Sequence, residues 1–449
     1  MRIRLINPLV PYSMLGGDFY FRLPTLGLLK VAALTPPEHA VDIVDEKVEA
    51  LDLGEPVDLV GITAMTPAAY RAYALADHYR SKGVPVIMGG MHATKCPEEA
   101  LEHCDAVVQG EAEGVWPQVL LDAAEGRLKK TYRQDGFPSM DHLPIVNWDL
   151  YKGKKYLPVH FVETTRGCPY DCDFCSVTDS YGAKFRNRPL DQVERELGTL
   201  KPFEGRFILK NVVFFVDDII NSRADYSKDL FRRLIPYNLK WLGQATSLVT
   251  RDAEMLTLMR QSWCLGVLIG FETLSDTSLS SVGKNFNKPQ NYLDIINRLH
   301  DHGIGINGSF VFGFDHDDES VFDRTLDFVI KAKLDSCYFS ILTPYPGTDL
   351  HKKFTDEGRI FDLNWEHYNT NTVVFRPMKM SPEKLMEGYH GLLKGFYTYG
   401  SIFKRLWGSG TKTNFFAPMN FGFRQTIKRM TARGPYSLTE ETKTLSAPA

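Results

Sequence analysis

The sequence predicts an α/β protein in which a doubly wound parallel sheet precedes a partial (β/α)6 barrel and a smaller, mostly helical C-terminal region. Three observations predict it. Residues 2 to about 130 alternate short apolar strands with helices, the pattern of a parallel sheet covered on both faces. From His160 the alternation lengthens into strand and helix units that fit an open cousin of the eightfold barrel. Between the two runs Pro138, Pro144 and Pro158, with Trp148 and several tyrosines, mark an extended join. The chain divides accordingly into 1–135, a linker at 136–159, a core at 160–348, a C-terminal region at 349–430 and a tail at 431–449. The tail has almost no apolar content and is expected to be disordered.

In the first unit strands are expected at Arg2 to Asn7, Val41 to Asp45, Leu59 to Ala64, Val84 to Gly89 and Ala106 to Gln109, with helices at Leu26 to Leu34, Ala68 to Lys82 and Glu98 to His103. Such sheets bind ligands beyond the carboxyl ends of their strands. The candidate points are the loops Pro8 to Gly17, Thr63 to Pro67, Gly89 to Thr94 and Gly110 to Gly114. In the second unit strands are expected at His160 to Thr165, Val212 to Val216, Leu239 to Ala245, Leu265 to Phe271, Gly305 to Phe312 and Ser336 to Leu342. Helices are expected around Leu190 to Leu200, Tyr226 to Ile235, Ala253 to Gln261, Gln290 to His302 and Glu319 to Lys333. Polar residues gather at the strand ends, where barrels carry their chemistry: Asp217 and Asp218, Gln244, Glu272, Gly308 and Ser309, and Thr343 with Tyr345. A strand-end acid also serves as a helix N-cap, and that reading stays open for Asp217 and Glu272.

The composition is that of an ordinary globular protein, 43% hydrophobic and 24% charged, with a net charge of −3 that gives no footprint for nucleic acid. No apolar run reaches membrane-span length, and the first residues enter a strand without the apolar core of a signal peptide. Seven cysteines, an odd number, argue against a disulfide framework and for a reducing, cytoplasmic setting.

Three of those cysteines, Cys168, Cys172 and Cys175, stand in ETTRGCPYDCDFCSV with three and then two residues between them. Three thiolates on one loop can wrap a small metal cluster, and no fourth ligand lies close by to close a zinc or ferredoxin-type site. A cluster held at three corners keeps one iron open to a chelating small molecule. A zinc loop and a group of buried thiols are the alternatives. Arg166 and Lys184 bracket the loop as partners of the cluster or as solvated cations. Cys264 and Cys337, in apolar surroundings, read as core.

The cysteine loop resembles the signature of the radical S-adenosylmethionine (SAM) superfamily. That resemblance implies a 4Fe-4S cluster whose open iron binds SAM and reduces it to a 5′-deoxyadenosyl radical. It places Phe174 against the adenine and Asp217, Asp218, Gln244, Glu272 and Ser309 around the methionyl and ribose groups. GITAMT, VIMGGMHAT and VVQGEAE resemble the cobalamin-binding domain found ahead of many such cores, which implies cobalamin contacts from Thr63, Thr66, Gly89, Gly90, His92, Gly110 and Glu111. The DxHxxG element that ligates cobalt in methionine synthase is absent, so binding without a histidine ligand is implied. A flavodoxin-like domain without its ligand is the alternative.

Overall the chain from Met1 to Trp407 resembles cobalamin-dependent radical SAM enzymes, the class of hopanoid C-methylases, bacteriochlorophyll methylases and the anaerobic Mg-protoporphyrin cyclase. The resemblance implies methylation of an unactivated carbon of a small-molecule or lipid-like substrate, with a low-potential donor such as flavodoxin or ferredoxin. A radical cyclisation, oxidation or rearrangement, and a non-catalytic cobalamin or iron-sulfur sensor, are the other readings. Residues 350–430 are aromatic and basic, with Trp365, Phe403, Trp407, Lys404 and Arg424. This region is expected to be a lid over the barrel mouth or a patch that meets a membrane surface.

Overall fold

The computed structural model describes residues 1–10, 22–201 and 212–432. Residues 11–17 of the Pro8 to Gly17 loop and the tail from 433 onward therefore lie outside the described residues. The first sheet is parallel and built from β1 (Arg2–Asn7), β2 (Ala40–Asp45), β3 (Leu59–Thr63), β4 (Val86–Gly89), β5 (Ala106–Gln109) and β6 (Thr131–Arg133), in the order β2-β1-β3-β4-β5-β6. Its strands are continuous apolar runs because both faces are covered. Leu28, Leu29, Trp116 and Leu120 pack on one face, and Ala72, Leu75, Ala76 and Tyr79 on the other. The strand order reverses between β1 and β3, which opens a crevice beyond their carboxyl ends.

Three elements of this unit escape the sequence pattern: a helix at Gly90–Lys95 where only a loop is expected, a helix at Trp116–Ala124, and β6 itself. A six-residue helix and a three-residue strand are too short to display a period. The remaining boundaries lie within two residues of expectation.

The second sheet holds β7 (Val159–Val162), β10 (Val212–Phe215), β11 (Lys240–Ala245), β12 (Cys264–Glu272), β13 (Gly305–Phe312) and β14 (Ser336–Ile341), all parallel and in the order β14-β13-β12-β11-β10-β7. Between β7 and β10 a small antiparallel hairpin pairs β8 (Thr165–Arg166) with β9 (Arg186–Asn187). The single strand expected over His160 to Thr165 is thus broken in two. Asp217 causes the break, because its Oδ1 accepts the backbone amides of Thr164 and Thr165 at 2.6 and 3.0 Å and takes them out of the ladder.

The last three helices of the C-terminal region lie away from the mouth. The helix Pro382–Phe396 lies beside the barrel edge, where Gly388 lets the Phe322 ring approach so closely that a Cβ would stand 2.1 Å from it. The helices Tyr399–Leu406 and Thr413–Ala432 then turn beneath the barrel. Buried Arg405 donates to the carbonyls of Leu334 and Asp335 at 2.6 and 3.0 Å, and its guanidinium lies 3.7 Å from the centre of the Phe396 ring. Asn420 donates to the Asp335 carbonyl at 2.9 Å, and Phe416 fills the space that side chains at Gly266 and Gly305 would take. All of these are amino-terminal strand ends. The helices from Tyr399 on therefore form the floor of the barrel and not the expected lid, whereas earlier in the C-terminal region Leu350 donates to the Asp173 carbonyl of the cysteine loop at 3.0 Å and Thr370 borders the cavity at the mouth. Among the described residues no helix is long and apolar enough to cross a membrane.

Candidate active site

The cysteine loop leaves β8 through Gly167, whose φ of +87° and whose approach to the Lys184 carbonyl, 2.4 Å from where a Cβ would be, both require glycine. Backbone bonds then fold the loop onto itself: Cys168 donates to the Gly182 carbonyl at 3.2 Å and Cys175 to that of Cys172 at 2.9 Å. The Thr178 hydroxyl adds a bond to the Tyr170 carbonyl at 2.8 Å. From outside, Gly283 rests on the loop so closely that a Cβ there would lie 2.4 Å from the Asp171 carbonyl.

The three half-buried thiols face a cavity of about 380 Å³ at the carboxyl ends of the barrel strands. Phe174, Asp218, Gln244, Glu272 and Ser309 line it with them. Two Zn–S bonds of about 2.3 Å bring sulfurs on one zinc ion to within about 4.6 Å of each other. Among the described residues the one trio of potential ligand atoms lying within 4.8 Å of one another is His92, Cys96 and Glu99, so the loop sulfurs are set wider than that. That spacing fits a cluster rather than a single zinc ion. Burial raises all three thiols, that of Cys172 to about 12, and metal coordination is what would hold them as thiolates.

Asp217 and Asp218 separate. Asp217, fully buried, is absorbed by Thr164 and Thr165, and does not border the cavity. Burial pushes its carboxyl up to about 7 against those donors. Asp218 turns the other way, accepts the Gly167 amide at 2.9 Å and faces the cysteines, with burial raising it to about 6.

Glu272 closes β12 in the left-handed region, φ 66°, after a register shift against β13. Such a conformation in a non-glycine residue is strained and points to function. Asn287 and Tyr292 hold the turned backbone, donating to the carbonyls of Gly270 and Phe271 at 2.8 and 2.7 Å. The Glu272 carboxylate forms an ion pair with Lys284, a cavity residue that the sequence reading missed. Burial works against the Lys284 cation, but Glu272, Cys172 and Cys175 outweigh it and raise its pKa. No periodicity marks Lys284; the Gly-Lys pair in a loop after a strand-end glutamate was the available signal.

A second cavity, of about 420 Å³, lies over the carboxyl ends of the first sheet. Thr63, Gly89, Gly90, Gly110 and Glu111 border it, joined by Met65 and Met91. Gly90 has φ +88°, and a Cβ on it would meet Thr63 Oγ1 at 2.7 Å and Ala64 backbone at 2.9 Å. The missing side chain lets the start of the Gly90–Lys95 helix close against the end of β3 at the edge of the cavity. Thr66 and His92 stand outside it. Thr66 is buried at the start of a short turn, and His92 is fully buried with its Nε2 2.9 Å from the Tyr73 hydroxyl. Burial lowers the His92 imidazole to about 4, so it is neutral. Beside it Trp365 donates to Glu99 at 2.9 Å, tying the first sheet unit to the C-terminal region.

The two cavities share Asp218, and a charged seam lies along the first of them where the sheet units meet. Arg166, buried rather than solvated, is paired with Glu111, Glu113 and Glu163; Lys30 is paired with Glu163, and Arg186 with Glu111. Cys264 and Cys337 are buried core residues, as expected.

Residues 162–329 match the model of the Radical SAM superfamily and residues 12–120 that of the B12 binding domain. The bacteriochlorophyllide d C-12(1)-methyltransferase of Chlorobaculum tepidum is 32% identical over 95% of this chain and 93% of its own length. The C-8(2)-methyltransferase of the same organism is 29% identical over 80% and 81%. The radical SAM methyltransferase TsrM of Kitasatospora setae, solved with tryptophan and a SAM analogue, superposes with a TM-score of 0.66 at 14% identity, covering 96% of this chain and 98% of that one. The chain belongs to the cobalamin-dependent radical SAM enzymes. Those relatives are named as methyltransferases, and the two family models carry a 4Fe-4S cluster, SAM and cobalamin as the cofactors of this class.

Proposed function

We propose that the protein methylates an unactivated carbon on a peripheral substituent of a chlorophyll-type tetrapyrrole. The observation that carries this reading is the meeting of the two cavities at Asp218, which sets the cavity over the first sheet next to the cysteine cavity. The two relatives named for bacteriochlorophyllide d support the substrate class, as do Leu268, Val311, Ile341, Leu342 and Tyr345, an apolar wall suited to a flat macrocycle. When bound, the cluster and SAM supply a 5′-deoxyadenosyl radical and cobalamin carries the methyl group.

The chain's own residues do the placing. Residues 1–135 hold cobalamin through Thr63, Gly89, Gly90 and Gly110, residues 160–348 hold the cluster and SAM, and 136–159 link them. The Glu111 carboxylate is spent on Arg166 and Arg186, which leaves recognition there to the backbone. Cys168, Cys172 and Cys175 would ligate the cluster, Phe174 would offer its ring to the adenine, and Gln244, Glu272 and Ser309 would accept from the amino group and ribose hydroxyls. Asp218 fixes the loop through Gly167, and the apolar wall keeps water from the reacting carbon. A low-potential donor such as flavodoxin or ferredoxin provides the electron in a reducing cytoplasm.

Anaerobic, reconstituted protein given labelled SAM and a bacteriochlorophyllide should yield 5′-deoxyadenosine, S-adenosylhomocysteine and a methylated pigment. Deoxyadenosine without S-adenosylhomocysteine, while pigment is consumed, would overturn methyl transfer; both products with another acceptor alone would overturn the substrate class.

A further inference from the structure

The floor of the barrel carries an exposed aromatic stripe. Tyr399, Phe403 and Trp407 follow one another at single helical turns and are 63%, 63% and 69% exposed. From the neighbouring helix Phe421, 45% exposed, extends the stripe, its ring 6.0 Å from that of Tyr399. The rings of Phe403 and Trp407 are 5.1 Å apart. These helices do not lack places to bury such groups. Their opposite faces bury Ile402, Leu406, Phe415, Phe416 and Ile427, and Arg405 and Asn420 pin them to the strand ends. The aromatic face is the one left over after the core is complete.

Charge identifies what the face fits. From residue 388 to residue 432 the chain holds seven Lys and Arg and no Asp or Glu, in a protein whose net charge is −3. Lys394, Lys404, Lys412 and Lys428 are exposed, and Arg424 lies over the Tyr399 ring at 4.2 Å. Aromatic rings, two of them with polar tips, on a segment that carries cations and no acids have the composition of a surface that settles into the headgroup region of an anionic bilayer. Each such cation adds to the attraction toward an anionic leaflet.

We propose that this floor is a docking surface for an anionic phospholipid membrane. The cysteine cavity opens at the opposite end of the barrel, so a docked molecule keeps its mouth turned away from the bilayer. The surface tethers the enzyme and does not feed the mouth directly.

The test is sedimentation of the reconstituted full-length protein with vesicles of phosphatidylglycerol or of phosphatidylcholine. Binding to phosphatidylglycerol is expected, at least tenfold above phosphatidylcholine and weakened by salt. Two triple variants, Y399S/F403S/W407S and K404E/K412E/K428E, should each lower the partition by about a hundredfold, with circular dichroism and SAM cleavage unchanged. In the unmodified protein, brominated lipid should quench tryptophan emission, and Trp407→Phe should remove that quenching; this reads the contact even if a triple variant fails to fold. Absence of binding to phosphatidylglycerol overturns the proposal, as does undiminished binding by both folded variants. A lipid-free dimer that both variants abolish would assign the face to a second copy of the chain instead.

Discussion

The guanidinium of Arg166, two residues before the first cysteine of the loop, is paired with the carboxylate of Glu111, the second residue after β5 of the other sheet, and both side chains are buried. The pair ties the mouth of one cavity to the wall of the other, with Glu113 and Glu163 on the same guanidinium. Removing the cation leaves these carboxylates buried together, and breaking such a pair costs about 3–5 kcal/mol. Arg166→Met should therefore lower the urea midpoint by that equivalent and release cobalamin from the folded fraction. An unchanged midpoint with cobalamin retained would show that the seam is incidental to the assembly.

The seam also sets a pH dependence. Burial alone would raise the Glu163 carboxyl, but Lys30 and Arg166 outweigh it and bring it from 4.5 down to about 2. A carboxyl lowered in the folded state stabilises the protein fully above its unfolded value and loses that contribution as pH falls through the folded one. The window thus runs from about 4.5 down to about 2, and the shift corresponds to roughly 3 kcal/mol. Acid titration of unfolding free energy should decline across this window, and Glu163→Gln should flatten the decline while lowering stability at neutral pH. A variant with the wild-type slope would place the acid sensitivity elsewhere.

Gly90 and Gly126 separate space from strain. Both have positive φ, but a Cβ on Gly126 meets nothing within 4 Å, whereas one on Gly90 meets Thr63 and Ala64 at under 3 Å. Gly126→Ala should cost about 1 kcal/mol from backbone strain alone. Gly90→Ala should cost more and should also strip cobalamin, read from the visible spectrum of protein purified with the vitamin supplied. Equal effects of the two substitutions would mean that Gly90 serves only its turn.

Local order was legible in the sequence, and contacts across distance were not. The bounds of β13 are those expected, because alternation through GINGSFVF is complete within the strand. The cysteine loop was legible for the same reason, since its ligands lie within eight residues. Asp217 and Asp218 look alike in FFVDDII, yet neighbouring side chains at the end of an extended strand point opposite ways. The first therefore went to the Thr164 and Thr165 amides and the second to the cavity. His92 and Thr66 sit among cavity residues in sequence, but a helix and a short turn rotate them to the far side. The C-terminal aromatic helices suggested a lid; only the contacts of Arg405 and Asn420 with Leu334 and Asp335 reveal them as a floor.

Lys284 is the most consequential residue that the sequence concealed, because it meets Glu272 only after β12 has turned out of register. Two roles for the pair make opposite predictions. If Lys284 merely neutralises Glu272, then Lys284→Met alone should destabilise the protein by about 3–5 kcal/mol through an unpaired buried carboxylate. The double variant Glu272→Gln/Lys284→Met should then recover both stability and SAM cleavage. If the Glu272 carboxylate instead accepts bonds from SAM, the double variant should recover stability only, and loss of a charged acceptor should weaken SAM binding about 10- to 100-fold. The strained backbone at Glu272 favours the second outcome, since neutralising a lysine does not require a left-handed residue held by Asn287 and Tyr292. Calorimetric titration of the reconstituted double variant with SAM, alongside its thermal midpoint, separates the two. Wild-type affinity in that variant would remove Glu272 from the SAM site.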